Sequence, residues 1–207
     1  MATDRRQSRA APWGRQPGWP CHLLAQPSTH EREDRWEPVI ATVDQSGLIS
    51  LVQDYTPNES KNNVLALAGI AKFFKLPTIL TTSFEEDPNG PLVPELKAAF
   101  PDAPYIPRPG QINAWDNENF VAAVRQTGRR QLIIAGVVTD ASGTFDHGVR
   151  TAALMRMQQA GAELVNWFAV ACELHRDWRN DIEGLGALLS SHIPNYRNLM
   201  TSYSARK

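Results

Sequence analysis

From Val39 onward, apolar residues arrive in two alternating rhythms. "VIATV" (39–43) is a short β-branched run, and "KNNVLALAGIAKFFK" (61–75) sets Val64, Leu67, Ile70, Ala71 and Phe74 on one helical face. "LPTILTTSF" (76–84) predicts the next strand, opened by Pro77, where no ladder hydrogen bond is needed. After the turn-rich "EEDPNGP" come a short helix in "LVPELKAAF" and an edge-like strand in "APYIP" (103–107). "NENFVAAVRQTG" (117–128) predicts a helix that Gly128 closes. "QLIIAGVV" (131–138) is the most apolar strand and is expected at the sheet centre. A helix over 146–161, a strand and its exit over 162–171, a helix over 178–191 and a polar tail complete the pattern. Strand–helix alternation with short loops implies a parallel sheet covered on both faces, an α/β domain over residues 39–207.

Residues 1–38 break this rhythm. They are rich in Arg, Pro and Gly and show no apolar period, and their first half carries Arg5, Arg6, Arg9 and Arg15 against the single acid Asp4. Pro12, Pro17 and Pro20 oppose the amphipathic helix of a transit peptide, and no apolar core of a secretory signal exists. The stretch reads as an irregular leader, with an organelle address as the alternative to the cytoplasm.

Composition narrows the function classes. The chain has 207 residues, 42% of them hydrophobic, and a net charge of −1, which gives no basis for a nucleic-acid partner. No apolar run approaches the roughly 20 residues of a membrane span. With only Cys21 and Cys172, the cytoplasm is the expected compartment. The five histidines (His22, His30, His147, His175, His192) form no metal-ligand spacing, and no phosphate loop is present, so no metal or cofactor is expected.

The phrases "KNNVLALAGIAKFFKLPTILTTSFEEDPNGPLVPELKAAFPDAPYIPRPGQINAWDNENF", "LIIAGVVT", "DASGTF" and "ACELHRDWRNDIEGL" through "HIPNYRNLMTSY" are more specific. From Gln45 to Tyr203 the chain closely resembles the isochorismatase-like cysteine hydrolases, in their YcaC-like branch. The resemblance implies a three-layer α/β/α sandwich around a mainly parallel sheet, a homo-oligomer, and hydrolysis of small amide-like metabolites. It also implies the chemistry: a Cys at a helix start attacks, an Asp on the first strand is its base, and a Lys-type cation holds the thiolate. A helix N-terminus and a nearby cation both favour the thiolate. The same likeness puts Gln45, Asn113, Trp115 and Thr139 around the substrate pocket.

The sequence departs from that pattern in three places. "AGVVT" joins "DASGTF" directly at Thr139–Asp140, where the family inserts its nucleophilic Cys, a helix and another strand. The shortfall is roughly twenty-two residues, the size of a parallel crossover. The domain is therefore expected to lack one strand and one helix, leaving five core strands, with the run near Leu164–Trp167 free to slide into the gap. Asp44 falls one position late, and successive strand residues face opposite ways, so it is either a displaced base or a solvated strand-end acid. Arg108 stands where the family has Lys, and serves either the site or the sheet edge. Asp44 and Arg108 are thus the candidate catalytic remnants. Cys172, beside Glu173, His175 and Asp177, matches a segment in which the family's Cys is not the nucleophile, and buried thiols are common. The two readings left open are a hydrolase and a catalytically silent oligomeric binding or structural protein, with a poorly folding product as the third outcome.

Overall fold

The computed structural model describes residues 38–42, 46–49, 52–86, 89–135, 144 and 146–205. Four strands, β1 (Val39–Thr42), β2 (Thr78–Ser83), β3 (Tyr105–Arg108) and β4 (Leu132–Ala135), form one parallel sheet in the order β3-β2-β1-β4. Ile40 lies opposite Thr78 and Ile133, and Leu80 lies opposite Tyr105. All four β1 residues are buried, as expected of a strand covered on both faces.

The helices are α1 (Ser46–Ile49), α2 (Pro57–Phe73), α3 (Pro94–Ala99), α4 (Glu118–Gln126), α5 (His147–Gln159), α6 (Trp167–His175), α7 (Ile182–His192) and α8 (Pro194–Ser204). Strand alternation sorts the core. Ile40, Leu80, Ile133 and Ala135 meet α2, α3, α6 and α7 through residues such as Val64, Ile70, Leu96, Val170 and Leu189. Val39, Ala41, Ile79 and Leu132 face the other way, onto Phe120 and Val124 of α4. The result is the expected layered α/β architecture with helices on both sheet faces.

Local sequence explains most boundaries. Thr56 starts α2 four residues ahead of the expected position through a capping box: its Oγ1 accepts from Glu59 N at 3.2 Å, and Thr56 N donates to the Glu59 carboxylate at 2.8 Å. Gly128 after α4 and Gly161 after α5 take φ of +65° and +86°, the left-handed turn that glycine permits.

Three expectations fail. "QLIIAGVV" is not central among the described strands: β4 pairs with β1 alone and lies at the edge. The expected fifth strand over 162–171 is not a strand: after Asn166 the chain enters α6, whose first turn Asn166 caps by accepting from Ala169 N at 2.7 Å. A short apolar run cannot by itself distinguish a buried strand from a buried helix, and the cap decides for helix. The count among the described residues is accordingly four strands, not five, and nothing near Leu164–Trp167 has slid into the sheet. The polar tail folds as helix α8.

Candidate functional site

In open parallel sheets, ligands bind beyond the carboxyl ends of the strands. Here those ends are Thr42, Ser83, Arg108 and Ala135. Asp44, Gln45 and Thr139 lie outside the described residues, as do the junction at Thr139–Asp140, Ser142 and Cys21. Arg108, Asn113 and Trp115 are described.

Arg108 is 2% exposed, although β3 is an edge strand. Its side chain lies on the sheet face that carries Thr81, and each donor that is placed meets a neutral oxygen. Nε donates to Thr81 Oγ1 at 3.1 Å, and Nη1 donates to the Gln111 and Ile112 carbonyls at 2.5 and 2.9 Å. Thr81 Oγ1 in turn donates to Ile106 O at 2.7 Å. Burial draws the guanidinium pKa down, since the charged form has lost water. The geometry is that of a strap: one cation ties the end of β3 to the loop that follows it. Ser83 Oγ, donating to Gln111 O at 3.1 Å, holds the same loop from β2.

The two pocket candidates on that loop have local work. Asn113 Oδ1 accepts from Trp115 N at 3.1 Å and caps a single 3-10 turn over Ala114–Asp116. Trp115 packs edge-on against Phe120, with centroids 5.5 Å apart, and is still 41% exposed. Near the strap, Phe84, whose N donates to Arg108 O at 2.9 Å, is 46% exposed, and Ile112 is 93% exposed.

The thiol is elsewhere. Cys172 sits on α6, whose Trp167, Val170 and Ala171 belong to the core on the face of Ile40 and Leu80. Arg108 bonds Thr81, which alternates with Leu80 and so faces the opposite side of the sheet. Burial raises the Cys172 pKa, and Glu173 raises it further. The polar string around it disperses. His175 is buried among Phe73, Phe74 and Trp178 with Nε2 lacking a hydrogen-bond partner. Asp177 is held by Arg179, whose Nε donates to it at 2.9 Å. Among the described residues, no group of three or more His, Cys, Asp and Glu side chains is arranged to hold a metal.

No protein-family model matches the chain. The protein described as "Probable hydrolase YcaC" from Escherichia coli is 61% identical over 195 residues, covering 83% of this chain and 94% of that protein. The chain belongs to the YcaC family of hydrolases. The solved Escherichia coli YcaC, an octameric hydrolase of unknown specificity, is 60% identical with a TM-score of 0.79 over 83% of this chain and 95% of its own. YcaC from Pseudomonas aeruginosa, solved with hexane-2,5-diol and covalent acrylamide, is 58% identical with a TM-score of 0.78 over 83% and 98%. The layered YcaC fold is thus the one this chain adopts, and no helix among the described residues is long and apolar enough to cross a membrane.

Two polar clusters of this YcaC-like chain escaped sequence reading. Glu85 accepts from Tyr105 Oη and, at 3.0 Å, from Thr82 Oγ1, while Lys97 lies 4.7 Å above the Tyr105 ring. Burial and then the Glu85 hydrogen bond push the Tyr105 pKa up. Asp54, Tyr55 and Arg150 meet across 95 positions of sequence. Neither cluster has a local motif; only the fold joins its members.

Proposed function

We propose that this chain is a YcaC-type protein without the hydrolytic chemistry of its family, persisting as a homo-oligomer that binds rather than turns over small molecules. One observation carries this reading: the cysteine of the domain stands on the sheet face opposite Arg108, with its thiol pKa raised. Only the thiolate is an effective nucleophile, and a thiol held protonated beside a carboxylate has no means of activation. Arg108 supports the same reading, since its Nε and Nη1 are engaged by Thr81 and two loop carbonyls among the described residues.

The extent of the relationship adds support. The match to the Escherichia coli protein runs over 195 positions but takes in 83% of this 207-residue chain, about 172 residues. The difference, 195 − 172 or about 23 positions of the relative without counterpart, is of the size expected from the direct joining of "AGVVT" to "DASGTF". The octameric state of that relative supports an assembly of copies here.

The opposing reading, an active hydrolase of small amide-like metabolites, has family membership in its favour. Ammonia release from a panel of small amides separates the two. The silent reading expects no release above buffer from the folded, assembled chain. Turnover that disappears in Cys172→Ser overturns it.

A further inference from the structure

Helix α5, like α8 at the chain's end, has no buried side chain among those described, although it lies between elements of the fold rather than at its end. Val149 and Met155 on it are 44% and 55% exposed. It is nevertheless placed: apart from the turn that closes it at Gly161 and Ala162, its polar links to the rest of the described chain run to Gln53, Asp54 and Tyr55. Gln53 N donates to Thr144 O at 2.9 Å, and Thr144 N donates to Asp54 Oδ1 at 2.9 Å. Arg150 Nη2 donates to Tyr55 Oη at 2.5 Å, and the guanidinium lies 4.8 Å above the Tyr55 ring. Arg150 Nη1 stands 3.6 Å from Asp54 Oδ2, an ion pair beyond hydrogen-bond reach, so that oxygen has no hydrogen-bond partner. The Asp54 side chain is 0% exposed and that of Arg150 is 24% exposed.

We propose that Asp54, Tyr55 and Arg150 form a polar clasp that docks α5 against the approach to α2, and that α5 leaves as a unit when the clasp opens. The physical case rests on what holds a helix. A helix normally docks through an apolar stripe, and most helical stability in proteins comes from that packing. With its apolar stripe of Ala153, Leu154 and Met157 only half-buried, α5 leans heavily on a few charge-assisted contacts. A buried carboxylate with one amide and one cation for company is also sensitive: removing the cation leaves an uncompensated buried charge. Once undocked, an isolated helix of this length is marginal in water and melts. Opening is therefore readable as lost amide protection confined to α5. An anion that competes for Arg150 is the kind of ligand that would open it.

Hydrogen–deuterium exchange on the full chain tests this independently of whether the site is silent. In the unaltered protein, amides of 147–159 are expected to exchange at least tenfold faster than those of the buried face of α2 (64–71). Arg150→Ala is expected to speed α5 exchange roughly tenfold more while α2 stays unchanged, as loss of one charge-assisted contact implies. Tyr55→Phe, which removes only the hydroxyl acceptor, is expected to produce a smaller shift in the same place and keeps the test open if Arg150→Ala does not fold. The proposal is overturned if α5 exchanges as slowly as α2 in the unaltered protein. Equal acceleration of both helices in either variant would also overturn it, because α5 would then open only with the whole domain.

Discussion

Replacing Arg108 with Met separates its two roles. The guanidinium makes three hydrogen bonds, to Thr81 Oγ1, Gln111 O and Ile112 O, at 3.1, 2.5 and 2.9 Å. Bonds from a charged donor contribute about 1.5–3 kcal/mol each, but burying the cation costs several kcal/mol, and Met incurs no such penalty. Thr81 Oγ1 keeps its bond to Ile106 O, and the exposed position of Ile112 lets water reach its carbonyl. The net loss should be about 2 kcal/mol, a shift of about 1 M in the urea midpoint at an ordinary slope. Urea titration followed by circular dichroism, at fixed protein concentration so that assembly does not shift the midpoint, reads this directly. Arg108→Lys should lose about 1 kcal/mol, since a single ammonium cannot span Thr81 and both carbonyls although the charge is retained. If Arg108→Met changes stability by less than about 0.5 kcal/mol, or stabilises, the strap is wrong and the cation is held for a ligand.

Two further outcomes follow from local geometry. Asn166→Ala should cost about 1 kcal/mol by removing the cap of α6, measured by thermal or urea unfolding; no effect would mean that the segment does not start a helix there. His192 is a half-buried imidazole whose pKa is lowered by desolvation, with Nδ1 3.0 Å from Asn62 Oδ1. The folded state therefore binds this proton less readily than the unfolded state. Its contribution to stability is present above the ordinary imidazole value near 6.5 and falls away as pH drops below it. His192→Gln should flatten the stability profile between pH 7 and 5, and an unchanged slope there would refute the assignment.

What the sequence made legible was whatever is written locally. Period placed α2, α4 and α5, although the Thr56 cap that starts α2 was passed over, and Gly128 marked the end of α4. The continuous apolar run of 131–138 identified a strand buried on both faces, but nothing in it says how many neighbours the strand has. Among the described strands it therefore lies at the edge rather than at the centre. The stretch from Leu164 to Ala171 was misread because its apolar residues suit a buried strand or a buried helix equally, and Asn166 was passed over as a cap. At the site, Arg108 was recognised as a replaced cation, but not that Thr81 and two loop carbonyls engage it. Those partners are set by strand pairing and loop path. Likewise, the Asp54–Arg150 contact joins residues 96 positions apart and leaves no signature in spacing.

The central claim, a YcaC-type body without an activated nucleophile, is tested most directly by the rate at which acrylamide alkylates Cys172. The measurement uses Cys21→Ser so that one thiol remains, intact-mass detection, and glutathione at the same pH as the reference. The Pseudomonas aeruginosa YcaC, solved with covalent acrylamide, is the natural comparator. A thiol whose pKa is raised by burial and Glu173 should react no faster than glutathione. Stoichiometric labelling at least tenfold faster than glutathione would mean an activated thiolate exists in this chain and would contradict the account.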